Sequence, residues 1–130
     1  MTERLTIHDL LASARARLAR LSPDDARLAQ EQGAILVDTR TEGERRREGV
    51  IPGSLHVRLS VLEWHLDPAS GHNDPTIGLD AWIVVVCAEG YSSSLAAARL
   101  HALGFSRATD LDGGFAAWKE AGLAIAPAPT

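Results

Sequence analysis

Two apolar runs, each too short for a typical helix, stand out in the hydrophobic pattern of the chain. Residues 34–38 (AILVD) and 81–86 (AWIVVV) are apolar at nearly every position. A run without polar alternation is typical of a strand buried on both faces of a parallel sheet. Residues 55–57 and 108–111 are predicted to form two shorter strands, so the pattern indicates a four-stranded sheet.

Helix-capping patterns and helical periodicity predict helices between these strands. A polar residue followed three positions later by an acid marks helix starts at Thr6, Ser22 and Thr41. Because strands alternate with helices, the expected fold class is α/β, with a central parallel sheet and helices on both faces. The predicted helical segments are residues 10–20, 22–33, a charged turn from 41, 59–64, 95–103 and 115–121.

Size and charge narrow the classes of protein to which the chain can belong. Its 130 residues fit one domain, and its formal net charge is −4. The basic run Arg45–Arg47 is flanked by glutamates and is interpreted as a solvated helix face, so no nucleic-acid partner is expected. No segment reaches transmembrane length and residues 1–6 lack a signal-peptide core, so we expect no membrane partner and a cytoplasmic location. The Pro- and Ala-rich residues 126–130 are predicted to form a flexible tail.

The only cysteine of the chain, Cys87, lies where a reactive thiol is expected. It follows the strand 81–86 and precedes a short loop that contains Gly90 and leads into a helix. Unpaired backbone N–H groups and the helix dipole at such a position favour the thiolate, which is the reactive form. A single cysteine also excludes an intrachain disulfide and fits a reducing compartment. The alternative, a buried structural thiol, stays open at this point.

The segments around this cysteine resemble the signatures of single-domain rhodaneses. They are VDTR at 37–40 with Glu44, GVIPGS at 49–54 and DGGFAAW at 112–118, while CAEGYSS at 87–93 resembles the active-site loop. The resemblance implies a rhodanese-like three-layer fold and a rhodanese-like domain over residues 21–125. Residues 1–20 are then expected to be an N-terminal helical extension outside the family core.

The resemblance also implies sulfur transfer. Cys87 would be the catalytic nucleophile of a sulfurtransferase, taking a sulfane sulfur from thiosulfate or a persulfide and passing it to a thiol or to cyanide. The implied partners are these small molecules and, as a further candidate, a protein persulfide carrier. No cofactor is implied, and the five histidines show no metal-ligand spacing, so no metal is assigned. The substrate- and anion-binding loop would consist of Ala88, Glu89, Gly90, Tyr91, Ser92 and Ser93.

This loop departs from the family pattern in its charge. Ser92 stands where many single-domain rhodaneses have a basic residue, and Glu89 is the only charged residue of the loop. We expect Glu89 to raise the thiol pKa and to repel dianionic thiosulfate, which makes a neutral or protein-bound persulfide an equally plausible donor. Arg58 is a candidate auxiliary cation from outside the loop. Phosphatases of the same fold need an arginine where Ser93 stands, which disfavours phosphatase activity.

Other polar residues receive structural interpretations. Asp38 and Arg40 are predicted to form a buried ion pair, and Gly113–Gly114 is predicted to be a tight turn. The serines 92–94 are expected to cap the following helix and to donate hydrogen bonds toward the sulfur. Two functional alternatives stay open beside sulfur transfer: a non-catalytic rhodanese-like binding module and a redox sensor in which Cys87 is reversibly oxidised.

Overall fold

Four parallel strands form the centre of the computed structural model, which describes residues 3–129. The spatial order of the strands is β2-β1-β3-β4, so β1 and β3 lie inside the sheet. The strands are β1 Ile35–Asp38, β2 Leu55–His56, β3 Ile83–Val86 and β4 Thr109–Asp110. The α-helices are α1 Ile7–Arg15, α2 Pro23–Glu31, α3 Glu42–Glu48, α4 Leu62–Leu66, α5 Ser92–Ala102 and α6 Gly114–Glu120.

The apolar runs at 34–38 and 81–86 form the interior strands because their side chains point alternately into two separate cores. In β3, Ile83 and Val85 pack with α4 and α5, whereas Val84 and Val86 pack with α2 and α6. All four side chains of β3 are fully buried. The predicted α/β fold, with a parallel sheet covered on both faces, is therefore confirmed.

The predicted elements are all present, but several boundaries differ. The first helix ends at Arg15 instead of reaching residue 20, and β3 begins at Ile83, two residues later than the apolar run. The helix predicted over 59–64 starts as a 3₁₀ turn at Leu59–Val61 and continues as α4. The segment after α4 contains a further 3₁₀ turn at Pro68–Ser70. The capping boxes at Thr6 and Thr41 are confirmed with both reciprocal hydrogen bonds.

The segment before residue 21 packs onto the rest of the fold. Helix α1 lies against α5. After α1 the chain runs beside β4, where the N–H of Leu21 donates to the carbonyl of Asp110 at 3.1 Å and the N–H of Asp112 donates to the carbonyl of Leu21 at 2.8 Å. This parallel bridge fixes the position of the residues just before it, including Arg20.

The C-terminal segment pairs with the residue that follows the C-cap of α3 at Gly49. Ala126, where the flexible tail was predicted to begin, forms an antiparallel bridge with Val50 through hydrogen bonds of 2.8 and 2.9 Å. The first residue of the predicted tail is therefore paired with the rest of the fold, and the flexibility of residues 126–130 stays a prediction. Residues 127–129 follow this bridge, and Thr130 lies outside the described residues.

The predicted ion pair between Asp38 and Arg40 is confirmed at the carboxyl end of β1. Both residues are buried, and Arg40 Nη2 donates to Asp38 Oδ2 at 2.9 Å. The Arg40 guanidinium also lies over the ring of Phe115 at 3.7 Å from the ring centroid. Arg45, expected to be solvated, instead turns inward, and its Nε lies 3.3 Å from Asp38 Oδ2. The pair therefore connects β1, α3 and α6 beneath the loops at this end of the sheet.

Candidate active site

Cys87 lies at the carboxyl end of β3, directly before the loop that leads into α5. Its side chain is buried, and its Sγ accepts hydrogen bonds from the backbone N–H groups of Gly90 at 3.1 Å and of Ser93 at 3.4 Å. The loop therefore curls around the sulfur with its amides facing inward. Two backbone N–H donors that face the sulfur in this way stabilise negative charge on it.

Two carbonyl groups of this loop face away from the sulfur and are held by α6. The N–H of Phe115 donates to the carbonyl of Cys87 at 2.9 Å, and the N–H of Ala116 donates to the carbonyl of Ala88 at 3.0 Å. These donors are N–H groups at the start of a helix, which have no partner within the helix itself. The first turn of α6 thereby positions the first half of the loop.

A third carbonyl, that of Gly90, is held by two arginines from the N-terminal segment. Arg15 Nη2 donates to it at 2.8 Å and Arg20 Nη2 donates to it at 3.0 Å. Both arginines belong to the predicted extension outside the family core, and no role was expected for them. The signal that could have identified them is weak, because arginine on a helix face is usually solvated.

Glycine is required at both contacts between the loop and the turn before α6. Gly90 has φ +88°, and a Cβ there would lie 2.7 Å from the backbone nitrogen of Gly113. Gly114 has φ +63°, and a Cβ there would lie 2.5 Å from the carbonyl oxygen of Cys87. The predicted tight turn at Gly113–Gly114 is present, but it also serves as the surface on which the cysteine loop rests.

The pKa of the Cys87 thiol lies below its ordinary value. Burial is the largest single influence and raises the pKa, but the Ser93 and Ser92 hydroxyls beside the sulfur and the N–H groups of Ser93 and Gly90 together outweigh it. The rise expected from Glu89 is therefore wrong as a net effect. Glu89 is exposed, and solvent screens its charge.

The serines at the start of α5 are arranged differently from the prediction. Tyr91 occupies the cap position, and no side-chain hydrogen bond caps this helix. The buried hydroxyls of Ser93 and Ser94 instead donate to Asp110 Oδ2, each at 2.8 Å. The expectation that these serines cap the helix is wrong, because a buried carboxylate beneath the helix is the stronger acceptor.

The remaining predicted site residues differ in their exposure to solvent. Ala88 and Ser92 are half-buried, whereas Glu89 and Tyr91 are exposed. Arg58 is exposed at the start of the 3₁₀ turn after β2, and its side chain forms no hydrogen bond or ion pair with another residue among 3–129. Its proposed role as an auxiliary cation therefore stays a prediction.

An acidic recess lies beside the loop, on the side of α3 and α6. Its charged residues are four glutamates and one lysine, so its net charge is negative. A small anion that approaches along this side meets unfavourable charge. Among the described residues, no cluster of histidine, cysteine and acidic side chains has the arrangement of a metal site. The recess is lined by Glu44, Glu48, Ala88, Glu89, Phe115, Ala116, Lys119 and Glu120.

The sequence matches one protein family over most of its length. The family described as the rhodanese-like domain matches residues 22–121. Thiosulfate sulfurtransferase GlpE of Pseudomonas savastanoi pv. phaseolicola is 37% identical over 100 residues, which are 77% of this chain and 86% of the relative. The protein of the same name from Pseudomonas fluorescens Pf0-1 is 40% identical over 101 residues, covering 77% of this chain and 84% of the relative.

Two solved structures extend these similarities to the fold. A protein of unknown function from Rhodopseudomonas palustris, described as a possible tyrosine phosphatase, is 32% identical with a TM-score of 0.87 and matches 96% of this chain and 97% of its own. The human single-domain sulfurtransferase TSTD1 is 27% identical with a TM-score of 0.63, over 78% of this chain and 95% of its own. The broader coverage of the R. palustris protein shows that most of the N-terminal segment has a counterpart there.

The lowered pKa predicts how the reactivity of Cys87 depends on pH. Because only the thiolate is alkylated, the rate with iodoacetamide should rise with pH and level off once the thiol is ionised. The midpoint should lie below that of a free cysteine, which is about 8.5. The Cys87→Ser variant should not react at any pH. A midpoint at or above that of free cysteine would contradict the hydrogen-bonding account of the sulfur.

A glycine pair tests whether the turn before α6 positions the loop. Gly114 and Gly122 both have positive φ, at +63° and +76°, but only a Cβ at Gly114 meets other atoms within 4 Å. Both Gly→Ala variants should lose roughly 1–2 kcal/mol of stability from backbone strain. Gly114→Ala alone should also slow Cys87 alkylation, by about tenfold or more, because it displaces the loop. Urea unfolding and alkylation kinetics measure the two effects, and equal alkylation rates would show that the contact is unimportant.

Proposed function

The chain belongs to the rhodanese-like domain family, and we propose that it is a sulfurtransferase that works through a Cys87 persulfide. Two backbone amides donate hydrogen bonds to the sulfur of this single cysteine. The relatives named thiosulfate sulfurtransferase, which share 37–40% of their residues with it over most of the chain, support this activity. The loop 88–93 would bind the donor's anionic end and the transferred sulfur. Covalent catalysis of this kind divides the transfer into two steps.

In the first step the Cys87 thiolate attacks the sulfane sulfur of the donor. With thiosulfate, a bond forms between Sγ and the outer sulfur, the sulfur–sulfur bond of thiosulfate breaks, and sulfite leaves with the electron pair. The negative charge then resides on the terminal sulfur of the persulfide. The N–H groups of Gly90 and Ser93, which already face Sγ, are placed to stabilise charge in this region.

In the second step the acceptor removes the terminal sulfur. An acceptor thiolate or cyanide attacks that sulfur, the bond to Sγ breaks, and Cys87 returns as a thiolate. The product is a small persulfide or thiocyanate. Neither step requires proton transfer at the cysteine once the thiol is ionised, and the lowered pKa of Cys87 supplies that state.

The observation that carries this proposal is the set of hydrogen-bond partners of Sγ. Within residues 3–129 two backbone amides donate to it and the hydroxyls of Ser92 and Ser93 lie beside it, and neither a histidine ring nor a carboxylate donates to it or accepts from it. A cysteine that attacks carbonyl substrates is usually paired with a histidine base, which this site does not have. A site that stabilises an ionised sulfur without a base matches sulfane-sulfur transfer.

The choice of donor depends on charge. The names of the relatives favour thiosulfate, whereas the four glutamates of the acidic recess beside the loop together disfavour a dianion. We propose that the protein accepts sulfur from neutral or singly charged persulfides at least as readily as from thiosulfate. A protein persulfide carrier and a thiol acceptor fit the same charge pattern.

Phosphatase activity, suggested for the R. palustris protein, has little support in this loop. Ser93 stands where an arginine would clamp the phosphate oxygens. The two arginines that approach the loop, Arg15 and Arg20, bind the outward carbonyl of Gly90 and not the inner side where the substrate would lie. Sulfur transfer therefore remains the function that the site supports.

The proposed cellular location of the protein rests on two observations. Within the described part of the chain, no helix has the length and apolar character needed to cross a membrane. A protein with one essential thiol and no disulfide partner within its chain works best in a reducing compartment. We retain the cytoplasm as the proposed location.

Intact mass spectrometry tests the proposal directly. The pure protein is incubated in parallel with thiosulfate and with glutathione persulfide, with Cys87→Ser as control. The mass of the wild type should increase by one sulfur, and cyanide should remove it with formation of thiocyanate, whereas Cys87→Ser should not change. A larger fraction modified by the persulfide would support the charge argument.

Two outcomes of the same experiment would overturn the assignment. If no donor adds sulfur to the wild type, the chain is better described as a non-catalytic binding module. If the cysteine gains oxygen instead of sulfur under mild peroxide and resists both donors, the redox-sensor alternative is favoured.

A further inference from the structure

A network of buried charge connects the N-terminal segment to the back of the cysteine loop. At its centre is Asp110 on β4, which is fully buried. Arg20 donates to both of its oxygens, with Nε–Oδ1 at 2.9 Å and Nη2–Oδ2 at 3.2 Å. The Arg20 side chain is 17% exposed, so the pair is largely shielded from water. A buried charge pair in this geometry is costly to disrupt on one side only.

The same two residues reach the sulfur site by separate routes. Arg20 Nη2 also donates to the carbonyl of Gly90, whose own N–H donates to Cys87 Sγ. Asp110 Oδ2 accepts a hydrogen bond from the hydroxyl of Ser93, and the backbone N–H of Ser93 donates to Cys87 Sγ. Each residue whose amide donates to the sulfur therefore also contacts the Arg20–Asp110 pair itself.

Arg15 completes the support from the N-terminal helix. Its Nη2 donates to the Gly90 carbonyl at 2.8 Å and its Nε donates to the hydroxyl of Ser94 at 3.1 Å. The peptide bond after Gly90 is trans, so the N–H of Tyr91 points opposite to the carbonyl that the arginines hold. Two guanidiniums on one carbonyl therefore fix the orientation of this peptide group in the loop.

We propose that Arg20 and Arg15 are positioning residues of the active site, which hold the cysteine loop from outside and supply the positive charge that the loop itself lacks. The loop has no basic residue of its own, and two guanidiniums from the segment before the family core lie against its carbonyl side. Asp110 is the opposing member of the network. It anchors Arg20 but places a negative charge behind the sulfur and accepts the hydrogen bond of the Ser93 hydroxyl. This inference deepens the proposed sulfur-transfer function but concerns the state of the thiol itself.

Arg20 and Asp110 are expected to have opposite effects on the ionisation of Cys87. Arg20 stabilises the Cys87 thiolate by charge attraction, and the thiolate in turn favours the charged form of Arg20. Asp110 disfavours the thiolate by charge repulsion and by competing for the single proton of the Ser93 hydroxyl. The charged and titratable groups on the elements around the cysteine loop include Arg15, Arg20, Asp38, Arg40, Glu44, Glu48, His56, Glu89, Tyr91, Asp110, Asp112, Lys119 and Glu120.

The experiment compares the pH dependence of Cys87 alkylation in Arg20→Gln and Asp110→Asn. Removing the cation should move the midpoint to higher pH and reduce the thiolate fraction near neutral pH by about threefold to tenfold. Removing the anion should move it to lower pH and increase that fraction by a similar factor while the thiol is mostly protonated. The midpoint is measured because the rate of the fully ionised thiol also changes with its basicity.

Matched variants separate this role from general structural damage. Arg17→Gln changes an exposed arginine between Arg15 and Arg20 and should leave the midpoint unchanged. The double variant Arg20→Gln/Asp110→Asn removes both charges and should lie between the two single variants. If Arg20→Gln does not fold, as judged by circular dichroism, Asp110→Asn and the double variant still carry the comparison.

Midpoint shifts in opposite directions would support the proposal. Shifts in the same direction, or no shift in folded variants, would overturn it and leave the network as structural only. Alkylation does not depend on sulfur transfer, so a failure of the mass experiment with donors would not imitate either result. Conversely, a protein that takes up sulfur normally without these shifts would retain the proposed function and lose the proposed role of Arg20.

Discussion

The outward carbonyl groups of the cysteine loop determine how the site works. A loop can direct its N–H groups at one sulfur only if the carbonyls on its other side find partners, because unpaired buried carbonyls are costly. Here the carbonyls of Cys87 and Ala88 bind the start of α6, and that of Gly90 binds two arginines. The amides of Gly90 and Ser93 consequently face inward and donate hydrogen bonds to the sulfur. These hydrogen bonds help to lower the pKa of the Cys87 thiol, whereas burial raises it.

This constraint explains features of the fold that are distant from the sulfur in sequence. Gly114 must lack a side chain because its backbone lies against the loop, and a Cβ there would be 2.5 Å from the Cys87 carbonyl oxygen. The bridge between Leu21 and Leu111 places Arg20 beside Asp110. The N-terminal segment therefore completes the support of the active-site loop, in addition to covering α5.

The fold and the place of the cysteine were predictable because each depends on local pattern. The two apolar runs form the interior strands, and the capping boxes at Thr6 and Thr41 begin helices as expected. Cys87 was identified by its place between a buried strand and a glycine loop. The loop's charge balance was not predictable, since Glu89 is visible in the sequence whereas Arg15 and Arg20 reach Gly90 only through tertiary packing across 70 or more positions. The serines were misassigned for the same reason, because Asp110 comes beneath them only in the folded chain.

The central claim, that the loop amides bind an ionised sulfur, is tested most directly by following those amides. In ¹H–¹⁵N spectra recorded across a pH series, the signals of Gly90 and Ser93 should shift with a common midpoint below that of free cysteine. The same signals should lose this titration in Cys87→Ser. Amide signals that do not respond to pH in the wild type, or that titrate equally in Cys87→Ser, would contradict the account.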